Sequence, residues 1–247
     1  MRSIVGRTGG KTKLKKELIK LIPKHKTFVE PFVGGGAVFF GREEPSEVEV
    51  VNDKDPDIYH IYKDTQEIGN ELSNADFTSY RDKFERLKKQ KSFKSKKERL
   101  YRNLYLSINS FRGDRRSYNE HKHKGRKSKP GKNFRESDYQ GRLKGVKIFR
   151  QDYDKVMKKF DAPDTFFYLD PPYSRAVDNR DYEFNFIDIE ELNKLLRGLK
   201  GKFLLSYDDT PQARKVFKGF KIRSIKTIYE IGDGKKREVK ELLISNY

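Results

Sequence analysis

Apolar residues recur at helical spacing in residues 13–22, and the pattern stops at Pro23. Short continuous apolar runs follow at residues 27–33 and 47–51, and the first of them leads into three consecutive glycines. The pattern predicts a helix, a strand, a glycine-rich loop and a second strand, with residues 37–40 compatible with a helix between the strands. This order is typical of one half of an α/β sheet.

The middle of the chain has a different pattern. Between residues 56 and 108, aromatic and aliphatic residues recur at helical spacing, which predicts a small helical insertion. Residues 112–135 are rich in Gly, Lys and Arg without periodicity and predict a loop or hairpin. The α/β pattern then returns, with a helix predicted at 189–199 and strands at 146–149, 165–169, 202–206, 220–225 and 242–245. We therefore expect an α/β catalytic domain from residues 1–55 and 146–247, interrupted by a helical domain at 56–145.

Charge is concentrated in this middle part of the chain. Residues 81–150 contain 25 basic and 7 acidic residues, so they hold +18 of the net charge of +19. A localised excess of this kind is typical of a surface that neutralises phosphates. A solvated lysine-rich helix or a disordered loop is the alternative interpretation. The block favours a nucleic acid as partner.

Composition excludes several other classes of protein. The chain of 247 residues has no cysteine, which excludes disulfides, cysteine–zinc sites and a thiol nucleophile. Of its four histidines, His121 and His123 could bind a metal from a strand, but no acidic or cysteine partner lies nearby, so we predict a solvated loop and no metal. No apolar run approaches the roughly 18–20 residues that span a bilayer, and no signal segment begins the chain. We expect a soluble, cytoplasmic protein.

The most specific local motif is Asp170-Pro171-Pro172-Tyr173, which directly follows a predicted strand. Proline removes the backbone donor, so carbonyl groups here are free to accept hydrogen bonds from a ligand. A carboxylate and a proline carbonyl at a strand end suit an exocyclic amino group, and a tyrosine ring can stack on a base that has left its helix. The alternative is a proline-stiffened turn whose Asp caps the next element.

Two further motifs favour a nucleoside cofactor. The strand at 27–33 ends in Gly34-Gly35-Gly36, and glycine allows a ligand to approach the backbone closely at the carboxyl edge of a sheet. Asp53 ends the next strand, where doubly wound folds place the acid that binds ribose hydroxyls. A strand-end cap is the alternative role of Asp53. Residues 8–11, Thr-Gly-Gly-Lys, precede the first helix and are a weak signal alone.

In this order, the motifs resemble those of the Dam-like DNA adenine-N6 methyltransferases of the alpha group. The likeness covers nearly the whole chain and includes residues 205–210, Leu-Ser-Tyr-Asp-Asp-Thr, and residues 236–243, Lys-Arg-Glu-Val-Lys-Glu-Leu-Leu. The resemblance implies a seven-stranded, Rossmann-like methyltransferase sheet that binds S-adenosylmethionine (AdoMet), with the basic helical insertion reading DNA. It further implies that the chain transfers the methyl group of AdoMet to N6 of a flipped adenine in duplex DNA.

The resemblance also implies roles for individual residues. Asp170 and the Pro171 carbonyl would accept hydrogen bonds from adenine N6, and Tyr173 would stack on the base. The implied cofactor-binding residues are Arg7, Lys11, Phe32, Gly34, Gly36, Asp53, Asp152 and Asp170. The implied DNA-binding residues are Arg112, Arg115, Arg116, Asn119 and Lys132. Duplex DNA and a cognate restriction enzyme are the expected partners, with no membrane.

Other functions remain open at this stage. An RNA adenine methyltransferase would use the same pocket chemistry, and a basic insertion would suit RNA as well. An N4-cytosine enzyme fits less well, because that class more often has Ser before Pro-Pro-Tyr. A catalytically inactive DNA-binding module of the same fold is the alternative from another class, and the intact motif at Asp170 argues against it.

Overall fold

The computed structural model describes residues 1–6, 11–120, 131–172, 187–231 and 235–247. Its helices are α1 (Lys15–Lys20), α2 (Pro56–Ile68), α3 (Arg81–Lys89), α4 (Lys96–Asn109), α5 (Lys132–Glu136), α6 (Tyr139–Leu143), α7 (Tyr153–Phe160), α8 (Ile189–Arg197) and α9 (Pro211–Val216). Its strands are β1 (Thr27–Glu30), β2 (Val48–Asn52), β3 (Lys147–Phe149), β4 (Thr165–Leu169), β5 (Lys202–Asp208), β6 (Lys221–Ile231) and β7 (Lys235–Ser245).

The chain forms two compact units. The first contains Met1–Lys15, Gly34–Glu44 and Asp55–Arg150, and the second contains Lys16–Val33, Pro45–Lys54 and Gln151–Tyr247. The predicted insertion at 56–145 lies entirely in the first unit, together with residues 1–15, 34–44, 55 and 146–150, which were predicted to belong to the catalytic domain. Compactness does not show which residues act together in function, so the domain division stays a prediction.

The second unit contains most of the sheet. Of the seven strands, six belong to it, in the order β2-β1-β4-β5-β7-β6. The pairs β1–β2, β1–β4 and β4–β5 are parallel, whereas β7 runs antiparallel to both β5 and β6. In the register, Val29 of β1 lies opposite Val50 of β2 and Phe167 of β4. The predicted α/β fold class with a seven-stranded sheet is confirmed.

The central strands are apolar over their whole length because both faces of the sheet are covered. Phe28 and Val29 of β1 have no exposed surface, and the residues from Phe166 to Leu169 in β4 are at most 1% exposed. A continuous apolar run, rather than an alternating one, is typical of a parallel strand with both faces buried. This burial fixes the position of the residues that follow each strand.

Helices α2 and α4 pack together in the first unit, and two ion pairs join them. Asp57 of α2 pairs with Arg102 of α4 (2.9 Å, Oδ2 to Nη1), and Asp64 pairs with Arg99 (2.7 Å, Oδ1 to Nη2). The aromatic core of this unit includes Tyr62, Phe77, Phe84, Tyr105 and Tyr139, each at most 1% exposed. Tyr62 of α2, Phe84 of α3 and Tyr105 of α4 therefore lie on buried helix faces, as predicted. Phe77 and Tyr80 precede α3, and Tyr80 is 58% exposed, so the spacing did not indicate a helix at these two positions.

Several expected boundaries were wrong. Residues 37–40 form a turn in which the Phe40 amide donates to the Gly36 carbonyl (2.9 Å), and no helix follows. The basic segment at 112–135, expected to be a loop, contains the start of helix α5. Phe134 of this helix is buried, and one buried aromatic residue can stabilise a short helix whose sequence shows no helical periodicity. Strands β6 and β7 are each eleven residues long, well beyond 220–225 and 242–245, since their polar halves pair with each other.

None of the helices in the described part of the chain combines the length and the apolar character that crossing a lipid bilayer requires.

Candidate active site

Three adjoining parallel strands of the second unit end in carboxylate residues. Glu30 is the last residue of β1, Asp53 follows β2, and Asp170 follows β4. Because the strands are neighbours in the order β2-β1-β4 and run in the same direction, these residues lie along one edge of the sheet. The carboxyl edge of a parallel sheet is where α/β proteins bind their ligands.

Asn52 joins the loops at this edge of the sheet through hydrogen bonds. Its amide Nδ2 donates to the carbonyl oxygens of Pro31 (2.9 Å) and Gln151 (3.1 Å), and its Oδ1 accepts from the Gln151 amide (2.9 Å). The Val33 amide donates to the Asn52 carbonyl (2.9 Å). Asn52 is 2% exposed, so one buried amide joins the loops after β1 and before α7 to the end of β2. The sequence analysis missed this role, and an amide directly before the candidate Asp53 is the signal that was available.

Asp152 directly precedes α7, makes no side-chain hydrogen bond to the start of that helix, and forms an ion pair with Lys54. The distance from Asp152 Oδ1 to Lys54 Nζ is 2.6 Å, and Lys155 lies 3.7 Å from Oδ2. The hydrogen bond from Lys54, and then the attraction of its charge, hold the pKa of Asp152 below its ordinary value. Asp152 is therefore a carboxylate at neutral pH, able to accept a hydrogen bond from an amino group. Its side chain is 45% exposed.

Asp170 and Pro171 follow β4, a strand that is held in place by burial on both faces. Tyr168 of β4 is buried, and its hydroxyl lies 3.3 Å from Ser206 Oγ of β5. Asp170 is half-buried and Pro171 is buried. Since neither Pro171 nor Pro172 has an amide hydrogen, this turn offers acceptors without competing donors. The predicted Tyr173 lies outside the described residues.

Phe32 packs on α7 after the end of β1. Its ring centroid is 5.1 Å from that of Tyr153, and burial raises the pKa of Tyr153 to about 12. The tyrosine therefore stays neutral at physiological pH. Together the two rings form an apolar surface in the second unit, next to the Asp152 carboxylate.

The remaining predicted cofactor residues belong to the first unit. Lys11 is 3% exposed, and Gly34 and Gly36 have φ angles of +48° and +69°. Only glycine adopts such angles readily, which explains both positions. Arg7 lies outside the described residues, as do His121 and His123.

The glycines at 35 and 36 pack closely against other residues of the first unit. A Cβ atom on Gly35 would collide with the Val5 carbonyl, and the Gly35 carbonyl accepts a hydrogen bond from the Ile4 amide (3.0 Å). A Cβ atom on Gly36 would collide with the Tyr62 hydroxyl and lie 2.8 Å from the Phe40 ring. These two glycines therefore allow close packing within the first unit, in addition to any approach by a ligand.

Replacing Gly36 by alanine is expected to destabilise the protein by about 2 kcal/mol, because a buried methyl group would be forced into packed rings at a positive φ. Urea unfolding measures the effect. Gly145→Ala is the matched control, since Gly145 also has a positive φ (+78°) but has open space around its Cβ position. Equal losses in the two variants would show that packing against Tyr62 is unimportant.

The predicted DNA-binding residues all lie in the first unit. The Arg116 amide donates to Asp114 Oδ1 (2.9 Å), and the Asn119 amide donates to the Asn109 carbonyl (3.0 Å). Lys132 is exposed on α5, 3.7 Å from Glu136. Arg115 is largely buried and forms an ion pair with Asp55. The structure describes the backbone of Arg112 but not its side chain.

Comparison with known proteins places the chain in a family. The chain is 30% identical to the type II methyltransferase M.MjaIII of Methanocaldococcus jannaschii, over 97% of this chain and 96% of that protein. It is 28% identical to M1.LlaDCHI of Lactococcus lactis subsp. cremoris, over 97% of this chain and 93% of that protein. The type II methyltransferase M.CviBI of Paramecium bursaria Chlorella virus NC1A is 29% identical, over 93% of this chain and 90% of that protein.

Among solved structures, the precorrin-6y C5,15-methyltransferase of Geobacter metallireducens GS-15 aligns with a TM-score of 0.42 at 9% identity, over 95% of this chain and 86% of that one. Residues 8–231 match the D12 class N6 adenine-specific DNA methyltransferases. That match spans most of the chain, including β1, β2, β4 and the Asp170-Pro171 turn. The chain belongs to the D12 class of N6 adenine-specific DNA methyltransferases.

Proposed function

We propose that Asp170 and the carbonyl group of Pro171 direct the reaction of this enzyme to N6 of a flipped adenine. Membership of its family makes the chain an adenine-specific DNA methyltransferase that uses AdoMet as methyl donor. The roles of individual residues are the proposal. The observation that carries it is the position of Asp170 and Pro171 at the carboxyl end of β4, on the sheet edge that also holds Asp53.

Adenine N6 is a poor nucleophile because its lone pair is conjugated with the ring. Hydrogen bonds from the two N6 hydrogens to Asp170 and the Pro171 carbonyl pull the nitrogen towards tetrahedral geometry and aim its lone pair. The same acceptors stabilise the positive charge that develops on N6 during the transfer. Positioning and electrostatic stabilisation of this kind can supply most of the reduction in the barrier. Tyr173 stacks on the flipped base and holds it in place.

The donor set of the second unit suits AdoMet. When bound, AdoMet supplies an electrophilic methyl group on a sulfonium. Asp53 accepts hydrogen bonds from the ribose hydroxyls, and Asp152 accepts one from the adenine amino group. Phe32 offers an apolar surface to the methionine part. In the first unit, Lys11, Arg7 and the loop at Gly34 and Gly36 complete the set of proposed cofactor contacts.

The proposed DNA-binding residues of the first unit divide into two groups. Lysines at 88–97 and Lys132 contact phosphates, which gives affinity without sequence information. Arg112, Arg116 and Asn119 contact base edges, because Arg suits guanine and Asn suits adenine. A division of this kind is testable by the salt dependence of binding.

Alanine at Lys89, Lys91 and Lys94 is expected to reduce the slope of log K against log salt by about 2 to 3, since each phosphate contact contributes about 0.9. All three side chains are exposed. The control replaces the equally exposed Lys194, Lys200 and Lys202 of the second unit and should leave the slope within about 0.5 of the unsubstituted value. A slope that does not change in the first variant would mean that these lysines only solvate a helix end.

The proposed function is tested by a transfer assay with labelled AdoMet on unmethylated duplex DNA and on RNA, followed by mass spectrometry of the nucleosides. We expect N6-methyladenine in the DNA, and sequencing of the modified sites then gives the recognition sequence. Label in RNA alone would overturn the choice of substrate. AdoMet binding without transfer to either polymer would mean that the substrate is wrong or that a partner is missing.

Two wider inferences accompany this function. Its relatives are named type II methyltransferases, and we infer that the chain protects DNA from a restriction enzyme with the same recognition sequence. We also infer that it acts in the cytoplasm, where its DNA substrate is accessible. The first inference is tested by measuring whether plasmid DNA that this chain has methylated resists cleavage by a restriction enzyme of the same host.

A further inference from the structure

Residues 110–119 of the first unit form a closed loop, called here the recognition loop. An antiparallel bridge joins Ser110 to Tyr118, and the Phe111 amide donates to the Ser117 carbonyl (2.8 Å). Asp114 Oδ1 accepts from the amides of Arg116 (2.9 Å) and Ser117 (3.1 Å). The loop therefore has a defined conformation in the protein without DNA. It contains three of the proposed base-reading residues.

Arg115 lies at the turn of this loop and points into the protein. Its side chain is 13% exposed and pairs with Asp55, whose side chain is 11% exposed. Arg115 Nε is also 3.6 Å from Asp57 Oδ2, which Arg102 contacts from α4. The Arg115 side chain is therefore held between two acids, of which Asp55 is 11% and Asp57 34% exposed, and is not presented to a base edge.

The backbone of Arg115 is held in an unfavourable conformation. Its φ angle is +63°, the only positive φ of a residue other than glycine in the described part of the chain. A long side chain in the left-handed region costs free energy and persists only where the surroundings determine it. Here the surroundings are the Asp55 ion pair and the hydrogen bond from the Arg115 amide to Ser110 Oγ (3.0 Å).

Asp55 connects this loop to the start of α2. One oxygen of Asp55 accepts from the amides of Asp57 (2.9 Å) and Ile58 (3.3 Å), and so caps the helix, while the other pairs with Arg115. Asp55 stands two residues after Asp53, the proposed ribose ligand. The same carboxylate thus fixes the beginning of α2 and the conformation of a loop sixty residues further along the chain.

We propose that Arg115 is a positioning residue, which holds the recognition loop ready for DNA through its ion pair with Asp55 and does not itself read a base. The inference rests on the proposed function, because it assumes that this loop meets DNA. Preorganisation removes the cost of ordering the loop when DNA binds, and therefore raises affinity without changing which base each residue contacts. This role replaces the direct contact with DNA that the family resemblance implied for Arg115.

The first test needs neither DNA nor AdoMet. Asp55→Asn removes the charge that holds Arg115 but keeps a good helix cap, since Asn is as favourable as Asp at this position. Hydrogen exchange of the Phe111, Arg115 and Asn119 amides should become about tenfold faster or more in this variant. Glu71→Gln is the control, because it makes the same change in net charge at the exposed pair of Glu71 with Lys97. Unchanged exchange in Asp55→Asn would overturn the proposal.

The second test measures DNA binding and kinetics in Arg115→Gln, Asp55→Asn and the double variant. Each single variant should raise Kd and KM for cognate DNA about tenfold, with kcat at saturating DNA and the affinity for AdoMet within about twofold of the parent. The two substitutions change net charge in opposite directions, so weakening by both cannot come from general attraction to phosphate. The double variant should be no weaker than the singles, because both remove one interaction.

A base-reading Arg115 gives a different result, which would refute this inference. In that case Arg115→Gln alters preference at a single base pair, Asp55→Asn leaves binding unchanged, and the two effects add. If the unsubstituted protein does not bind DNA at all, the proposed function fails instead. That outcome is recognisable because it appears without any substitution, and it also removes the functional part of this proposal.

Discussion

Replacing Asp170 by alanine is expected to lower the rate of methyl transfer by about a thousand-fold or more, while the affinity for DNA changes by less than about threefold. The carboxylate is proposed to meet the adenine N6 hydrogens at the moment when positive charge develops on the nitrogen, so its loss acts on the transition state. Phosphate contacts by the first unit do not involve Asp170. Single-turnover transfer and equilibrium binding to the same duplex separate the two quantities.

The matched control is Asp154→Ala in the same unit. Asp154 is a half-exposed residue of α7 that pairs with Lys158 (3.0 Å), and its removal changes the net charge equally. We expect transfer by this variant to stay within about twofold of the parent, because surface pairs contribute little. Near-normal transfer by Asp170→Ala would exclude the proposed role of its carboxylate. Asp170→Asn should keep the geometry but lose most of the electrostatic contribution, and should fall between the two.

Replacing Arg99 by leucine should destabilise the first unit by about 3–5 kcal/mol, the usual cost of leaving a buried charge without its partner. Arg99 donates two hydrogen bonds to Asp64, of 2.8 Å from Nε to Oδ2 and 2.7 Å from Nη2 to Oδ1. The Asp64 side chain is only 1% exposed, and the hydrogen bond to it raises the pKa of Arg99 above its ordinary value. Urea unfolding followed by circular dichroism measures the loss.

Two further variants identify the cause of that loss. The double variant Asp64→Leu/Arg99→Leu should recover most of the stability, because two apolar side chains can replace a buried ion pair at little cost. Lys97→Leu removes an exposed pair with Glu71 (3.6 Å) and should cost less than about 1 kcal/mol. If the double variant is as unstable as Arg99→Leu, lost packing rather than an unpaired carboxylate is responsible.

The catalytic edge could be predicted from the sequence because its signals are local. The strand before Asp170 is a continuous apolar run, and the two prolines follow it directly, so neither inference needed a distant contact. The same holds for Asp53 at the end of β2. Neighbouring parallel strands then bring these residues to one edge of the sheet. Local pattern was sufficient for the strands and for the residues that follow them, while the roles of Asp53 and Asp170 stay predictions.

Contacts between distant residues could not be predicted in this way. Gly36 meets Tyr62, which is twenty-six residues later in the chain, and Arg115 meets Asp55 across sixty residues. In the sequence, Arg115 is one basic residue among many, and only the fold shows that an acid neutralises it. The outer parts of β6 and β7 were missed for a related reason, since polar strands gain their hydrogen bonds from a partner that no local pattern reveals.

Among the strands of the described residues, β6 forms one border of the sheet, and an edge of this kind can add a strand from another molecule. Lys221, Arg223 and Lys226 are all exposed along it. Two copies approaching edge to edge would bring these like charges together, which opposes association through open strands. Positive charge on this chain thus has a second consequence, besides attraction to phosphate: it protects a concentrated protein against aggregation through its own sheet.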